Sequence, residues 1–210
     1  DRKRVQALYR GMNQLAKSYR VAIIGGNLTC APRVFVDITV LGQVEKKRVV
    51  LRSGGSPGDR LFVTGTLGGS RFGHHFSFEP RIGLARRLTS LVPVKAMMDL
   101  SDGLGADLPR LAEASRTGFR LFADRLPISP HLLSSKTSSQ GALWHALNDG
   151  EDYELLFAVP EKYCHRVPRS VTGVPVTFIG ELTDGEKVLI ASGKRMAFPT
   201  GGFDHFRRVL

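Results

Sequence analysis

Apolar and polar positions alternate with two periods along this chain. Val5, Leu8, Met12, Leu15, Ala16 and Tyr19 recur at helical spacing, which predicts a helix over residues 5–18. A short apolar run at 21–24, stopped by Gly25-Gly26, predicts a strand. Val34, Val36, Ile38 and Val40 alternate with Phe35, Asp37, Thr39 and Leu41, which predicts another. Residues 53–59 (SGGSPGD) form a turn-rich bridge, and a domain boundary is placed just before it, dividing the chain into 1–50 and 51–210. Beyond the bridge, strands are expected at 61–64, 96–100, 119–122, 153–159 and 174–179. Helices are expected at 82–88 behind Pro80, at 102–115 capped by Ser101, from Ser129-Pro130, and at 161–167. A serine-rich stretch at 133–141 reads as a loop, and the chain closes on a tail containing Gly201-Gly202-Phe203. Strands and helices mix without strict alternation, so the expected class is α+β, with helices covering a sheet on one side.

Composition narrows the picture. The 210 residues are 42 % apolar and 23 % charged, the balance of an ordinary globular protein. No run of about eighteen apolar residues exists, so no membrane-spanning helix is expected. The basic, amphipathic start gives no secretion signal. Cys30 and Cys164 sit in dissimilar contexts without metal-type spacing, which argues against a disulfide framework and for a reducing cytoplasm. The formal charge of +11 favours polyanionic partners. The basic residues are scattered, however, and do not interleave with aromatics, so solvated surface charges are expected rather than a nucleic-acid groove, a bias that an enzyme handling phosphorylated small molecules would also tolerate.

Several segments could carry chemistry. Asp99-Leu100-Ser101-Asp102-Gly103-Leu104 ends a strand in a carboxylate and opens a helix with a second one. Oxygen donors at such a corner suit Mg²⁺ shared with substrate phosphates, while Ser and Asp are also ordinary residues for starting a helix. Gly150-Glu151-Asp152-Tyr153-Glu154 could hold a cation or be a solvated acidic turn. Gly25-Gly26-Asn27 could lie against a ligand or simply turn the chain, and the loop 65–70 lacks the lysine and spacing of a P-loop. His74-His75 are assigned to the surface and Trp144 to packing. No Ser/His/Asp or Cys/His arrangement is present, so no catalytic group is expected beyond metal and substrate ligands.

In order, the segments VAIIGGN, LRSGGSPGDRLFVTGTLG, MMDLSDGLGADLPRL, NDGEDYELLF, VTFIGEL and GGFDHF resemble the thiamine-phosphate kinases. These belong to the superfamily that includes aminoimidazole ribonucleotide synthetase and selenophosphate synthetase. The resemblance implies the remainder of an N-terminal ATP- and metal-binding domain followed by a complete C-terminal α+β domain of that superfamily. It implies ATP-dependent phosphorylation of thiamine phosphate to thiamine diphosphate, with Mg²⁺ as cofactor and ATP as co-substrate. It further implies that Asp99 and Asp102 hold Mg²⁺ together with Asn27, that Gly26, Asn27, Arg52 and Ser101 contact ATP, and that Glu151 and Phe203 contact the thiamine moiety. A homodimer is implied for the full-length protein, with neither nucleic acid nor membrane as partner.

Two departures from the family pattern carry expectations. Asn27 stands where the family's Gly-Gly-Asp motif has aspartate, which removes a charge from one metal position. A Gly-Asp-Asp motif of the family's N-terminal part has no match, so the isolated chain is expected to be inactive. Two alternatives stand beside the kinase: a sister enzyme of the superfamily with another acceptor, and a non-catalytic paralogue that binds nucleotide or nucleic acid.

Overall fold

The computed structural model describes residues 1–134, 137–199 and 201–203. Two units separate, Asp1–Gln43 and Val44–Leu210.

The first unit carries helix α1 (Arg2–Ser18), which contains the expected helix. Asp1 caps it, its carboxylate accepting from Lys3 N at 2.9 Å. The helix ends where Arg20 turns left-handed and Val21 N reaches back to Ala16 O at 2.8 Å. The strands expected at 21–24 and 34–41 do not form, and residues 21–43 carry no regular structure. A strand exists only through backbone pairing with a neighbour, and no ladder from the described residues reaches this segment. Its alternating residues are exposed, Val34 by 83 % and Phe35 by 85 %.

The second unit is built on one sheet. In chain order its strands are β1 (Arg60–Thr64), β2 (Ala96–Asp99), β3 (Gly118–Phe122), β4 (Leu155–Val159), β5 (Ser170–Val171), β6 (Val174–Thr183), β7 (Lys187–Ala191) and β8 (Lys194–Ala197). Spatially they run β2-β4-β1-β6-β3-β7-β8, with β5 paired to β6. All pairings are antiparallel except β3 with β7. The helices are α2 (His74–Ser77), α3 (Ile82–Leu91), α4 (Leu104–Ser115), α5 (Pro130–Ser134) and α6 (Ser139–Asn148).

Both faces of the sheet are covered, not one. Leu61 and Val63 of β1 and Leu156 and Ala158 of β4 point into a core with Leu104, Leu108 and Leu111 of α4 and Ala146 of α6. The intervening Phe62, Phe157 and Val159 point the other way, against Leu84 and Leu88 of α3 and against Val92. Side chains alternate across a strand, so a strand buried on both faces reads as a continuous apolar run. Phe62 and Phe157 face each other in register with ring centroids 5.4 Å apart, and Phe178 of β6 stands opposite Phe62 on the other side at 5.6 Å. Burying one such ring stabilises by about 1.5–3 kcal/mol.

The sequence-based boundaries differ from the structure at identifiable places. Residues 139–141, expected in a loop, open α6, where Ser138 caps the helix by accepting from Gly141 N at 3.1 Å. The hairpin β7–β8 lies between the strand expected at 174–179 and the Gly201-Gly202-Phe203 tail, where no element was expected. The helix expected at 161–167 is a 3-10 helix over Glu161–Arg166. Helix α4 begins at Leu104 with Gly103 at its cap, so Ser101 does not cap it. Cys30 and Cys164 are both free, as expected.

Candidate active site

Strand β2 delivers Asp99 to its exposed end, and the chain then turns through Leu100, Ser101 and Asp102 into α4. That turn is stitched to the loop preceding β4. Leu100 N donates to Glu154 O at 2.8 Å, Tyr153 N to Leu100 O at 2.9 Å, and Glu151 N to Ser101 O at 2.7 Å. Glycine is required at the crossing: a Cβ on Gly103 would lie 2.7 Å from Leu147 O, and its φ of 94° favours glycine besides. The tail closes the group, with Phe203 N donating to Asp102 O at 2.8 Å and Gly202 N to Asn148 Oδ1 at 2.8 Å. Asp99, Ser101, Asp102, Glu151 and Phe203 therefore converge at one end of the sheet. Phe203 is half exposed.

A residue not singled out in the sequence organises this corner. Asp107, fully buried, accepts from both Ser101 N and Asp102 N at 3.0 Å. Its carboxylate thereby holds the turn that leads into α4. Burial raises the Asp107 carboxyl above its ordinary range, against the pull of the Asp102 backbone hydrogen bond and of Arg110. Arg110, one helical turn on, bridges Asp107 Oδ1 at 2.7 Å and Asp102 Oδ2 at 2.5 Å. The sequence signal was the carboxylate five positions beyond Asp102, within the quoted motif. Tyr153 is the other addition. Its ring stacks on Phe78 at 4.1 Å, and its hydroxyl is raised by burial and then by the charges of Glu151, Asp99 and Asp102.

The acidic segment is not the solvated turn that was one reading of it. Glu151 is exposed, while Asp152 and Glu154 are each only 2 % exposed. Glu154 accepts from Thr64 Oγ1 at 2.6 Å and from the fork of Arg81 at 2.9 and 2.5 Å. Asp152 Oδ1 accepts from Gly68 N at 2.9 Å, and Asp149 Oδ2 from Gly69 N at 2.8 Å. The glycine-rich loop thus spends these two N–H groups on carboxylates rather than offering them to a phosphate. His74 and His75, expected at the surface, are half-buried and bonded to Asp152 O and Ser70 O at 3.0 and 2.7 Å. Trp144, expected to pack, is 58 % exposed on α6 and meets His145 edge-on.

Arg52 is exposed just before the turn-rich bridge, next to Leu51, whose carbonyl accepts from Met97 N at 3.0 Å. Gly26 and Asn27 lie in the first unit, in the segment without regular structure. Asp204, His205 and Phe206 of the closing motif fall outside the described residues.

Residues 56–191 match the family model of the C-terminal domain of AIR synthase related proteins. A thiamine-monophosphate kinase of Rhodopirellula baltica is 42 % identical over 200 residues, covering 92 % of this chain and 62 % of that protein. One of Bacillus subtilis is 32 % identical over 231 residues, covering 97 % and 70 %. The chain belongs to the thiamine-monophosphate kinase family. A solved complex of AaThiL with AMPPCP and TMP superposes with a TM-score of 0.70 at 26 % identity, covering 98 % of this chain and 69 % of that one. The chain thus spans roughly two thirds of the length of these thiamine-monophosphate kinases, in an α+β fold shared with them.

The family's resemblance implied Mg²⁺, and the donor set can be tested for it. Among the described residues no group of three or more His, Cys, Asp or Glu is placed to hold a metal. Mg²⁺ does not need such a cage, because it takes one or two carboxylates and completes its shell with waters and substrate phosphates. Asp99 and Asp102 fit that phosphate-shared kind of site.

Proposed function

We propose that the protein containing this chain phosphorylates thiamine phosphate to thiamine diphosphate with ATP. The observation that carries the reading is the convergence of Asp99, Ser101, Asp102, Glu151 and Phe203 through direct backbone hydrogen bonds between three separate segments. Membership of the thiamine-monophosphate kinase family supports it, as does the structural likeness to a complex containing AMPPCP and TMP.

In this reading a terminal phosphate oxygen of thiamine phosphate attacks the γ-phosphorus of ATP in line. The new P–O bond forms as the bond to the β-bridging oxygen breaks, and ADP leaves. The attacking oxygen is already anionic, which matches the absence of a nucleophile–base pair in the sequence. Asp99 and Asp102 would hold Mg²⁺. When bound, the ion supplies charge neutralisation between the two polyanions. Ser101 contacts the nucleotide, and Arg52 offers a permanently charged planar fork to its phosphates. Glu151, exposed at the rim, complements the cationic thiazolium, and Phe203 supplies an aromatic face to a thiamine ring. Arg110 fixes Asp102 and so sets where that carboxylate stands. The scattered positive charge suits two phosphorylated substrates, and the reading places the protein in the cytoplasm as a homodimer. No helix is long and apolar enough to cross a membrane among the described residues.

The test is formation of thiamine diphosphate from thiamine phosphate, ATP and Mg²⁺, followed chromatographically. Asp102→Ala is expected to abolish product while leaving the fold intact. Phosphorylation of a different acceptor in preference to thiamine phosphate would move the protein to a sister activity of the superfamily.

A further inference from the structure

The carboxylate of Asp102 is not free to choose its own orientation. Its Oδ2 accepts from Arg110 Nη1 at 2.5 Å, and no described residue donates a hydrogen bond to its Oδ1. The main chain is pinned as well, with Asp102 N donating to Asp107 Oδ2 at 3.0 Å and Asp102 O accepting from Phe203 N at 2.8 Å. Arg110 is not a loose surface cation either. The same Nη1 donates to Asp107 Oδ1 at 2.7 Å, and that carboxylate is fully buried and held by two backbone N–H groups. The guanidinium is thus tethered to a group fixed in the core, and from there it claims one oxygen of Asp102. At their side chains Asp102 is 28 % and Arg110 43 % exposed, so the pair stands within reach of solutes.

Divalent cations differ in what they ask of such a carboxylate. Mg²⁺ demands near-octahedral geometry, and one or two carboxylates satisfy it together with waters and phosphate oxygens. Ca²⁺ is larger, takes roughly six to eight oxygens in a flexible shell, and often draws both oxygens of one carboxylate. A carboxylate with one oxygen committed to a tethered guanidinium has a single oxygen left to give. Its pinned main chain also denies the adjustment that a larger, irregular shell requires. Charge makes no such distinction, because the two ions carry the same charge and Arg110 repels both.

We propose, resting on the kinase reading of Asp99 and Asp102 as metal ligands, that Arg110 determines which metal the site accepts. By occupying Asp102 Oδ2 it limits that carboxylate to one metal–oxygen contact and so selects Mg²⁺ over Ca²⁺. Arg110 acts through Asp102 and is a positioning residue. Its removal has two separable effects. Loss of the positive charge strengthens binding of either ion, whereas release of Oδ2 strengthens binding of Ca²⁺ beyond that.

The test is calorimetric titration of the full-length protein with a non-hydrolysable ATP analogue, once as its Mg²⁺ complex and once as its Ca²⁺ complex. The quantity read is the ratio of the two dissociation constants. The effect of charge and the nucleotide's own preference cancel when that ratio is compared between proteins. Arg110→Ala is expected to shift the ratio toward Ca²⁺ by about tenfold. That variant leaves the buried Asp107 charge without its cation, so Arg110→Ala combined with Asp107→Asn is measured beside it. The double variant removes the stranded charge, keeps an acceptor for the two N–H groups, and is expected to show the same shift. A ratio that does not move toward Ca²⁺ in the folded variants overturns the proposal and leaves Arg110 a counter-charge only. Asp102→Ala reports on the kinase reading separately and is expected to weaken both complexes. If it binds both as tightly as the parent does, Asp102 is no metal ligand, and the role of Arg110 falls with it. Weakened binding there beside an unmoved ratio counts against Arg110 alone.

Discussion

Replacing Asp152 by asparagine removes an ionisable group that is 2 % exposed while keeping its shape and the acceptor for Gly68 N. Desolvation raises this carboxyl from 3.8 to about 7, with Asp149, Glu154 and Asp107 adding to the effect. An unfolded chain gives up the proton near the ordinary value, whereas the folded one keeps it until about pH 7. Between those values the folded state binds more protons, so stability falls as pH rises. The contribution is fully present below the unfolded value and is lost through the folded one. For a group titrating near 7, the loss between pH 6 and 8 is about 1.4 kcal/mol. In a unit of this size that is a shift in Tm of about 3–5 °C. The assay is thermal unfolding of the chain and of Asp152→Asn at both pH values. Groups shared by the two proteins, such as Asp107 and Asp59, cancel in the comparison. The variant's Tm relative to the parent's is expected to climb by about 3–5 °C on going from pH 6 to 8. Two curves that run parallel would refute the claim that Asp152 is buried and protonated near neutrality.

Other perturbations have expected outcomes of their own. Arg81→Ala strands Glu154, 3 % exposed at its side chain, without its cationic partner, and urea unfolding should show a loss of about 3–5 kcal/mol. Glu154→Gln with Arg81→Ala together should recover part of it, since the buried charge itself is then gone. Asp107→Ala orphans the N–H groups of Ser101 and Asp102 and is expected to cost about 2–4 kcal/mol. In the full-length protein it should also weaken binding of Mg²⁺ with an ATP analogue, which calorimetry would read, because the Asp102 turn loses its anchor.

The second unit was legible where burial imposed a pattern. The apolar runs at 61–63 and 155–159 read as strands because β1 and β4 are buried on both faces, and Leu84 with Leu88 read as one helical face. The first unit misled because alternation at 34–41 signals a strand only if a partner offers its backbone. Helix α6 was hidden by the serine-rich approach to it: Ser138 is the cap, and the helix behind it is carried by small buried residues, Ala142 and Ala146. At the site, Asp99, Ser101, Asp102, Glu151 and Phe203 were legible as a group only through the family resemblance, since they sit in three segments far apart in sequence. Local chemistry left Asp102 and Glu151 open between function and ordinary turn roles. Asp107 and Asp152 escaped because sequence does not show which of several neighbouring carboxylates turn inward. In the segment 149–154 it is Asp152 and Glu154 that are buried and Glu151 that faces outward, an alternation set by the approach to β4.

The central claim is that the Asp99–Asp102 corner, stitched to Glu151 and Phe203, serves phosphoryl transfer to thiamine phosphate. The most direct test is thiamine diphosphate formation by the full-length protein that contains this chain, beside the same protein carrying Asp102→Ala. Product that requires ATP and Mg²⁺ and disappears with Asp102→Ala is the predicted result. A folded, ATP-binding protein that makes no thiamine diphosphate, or one whose activity survives Asp102→Ala, would contradict the account.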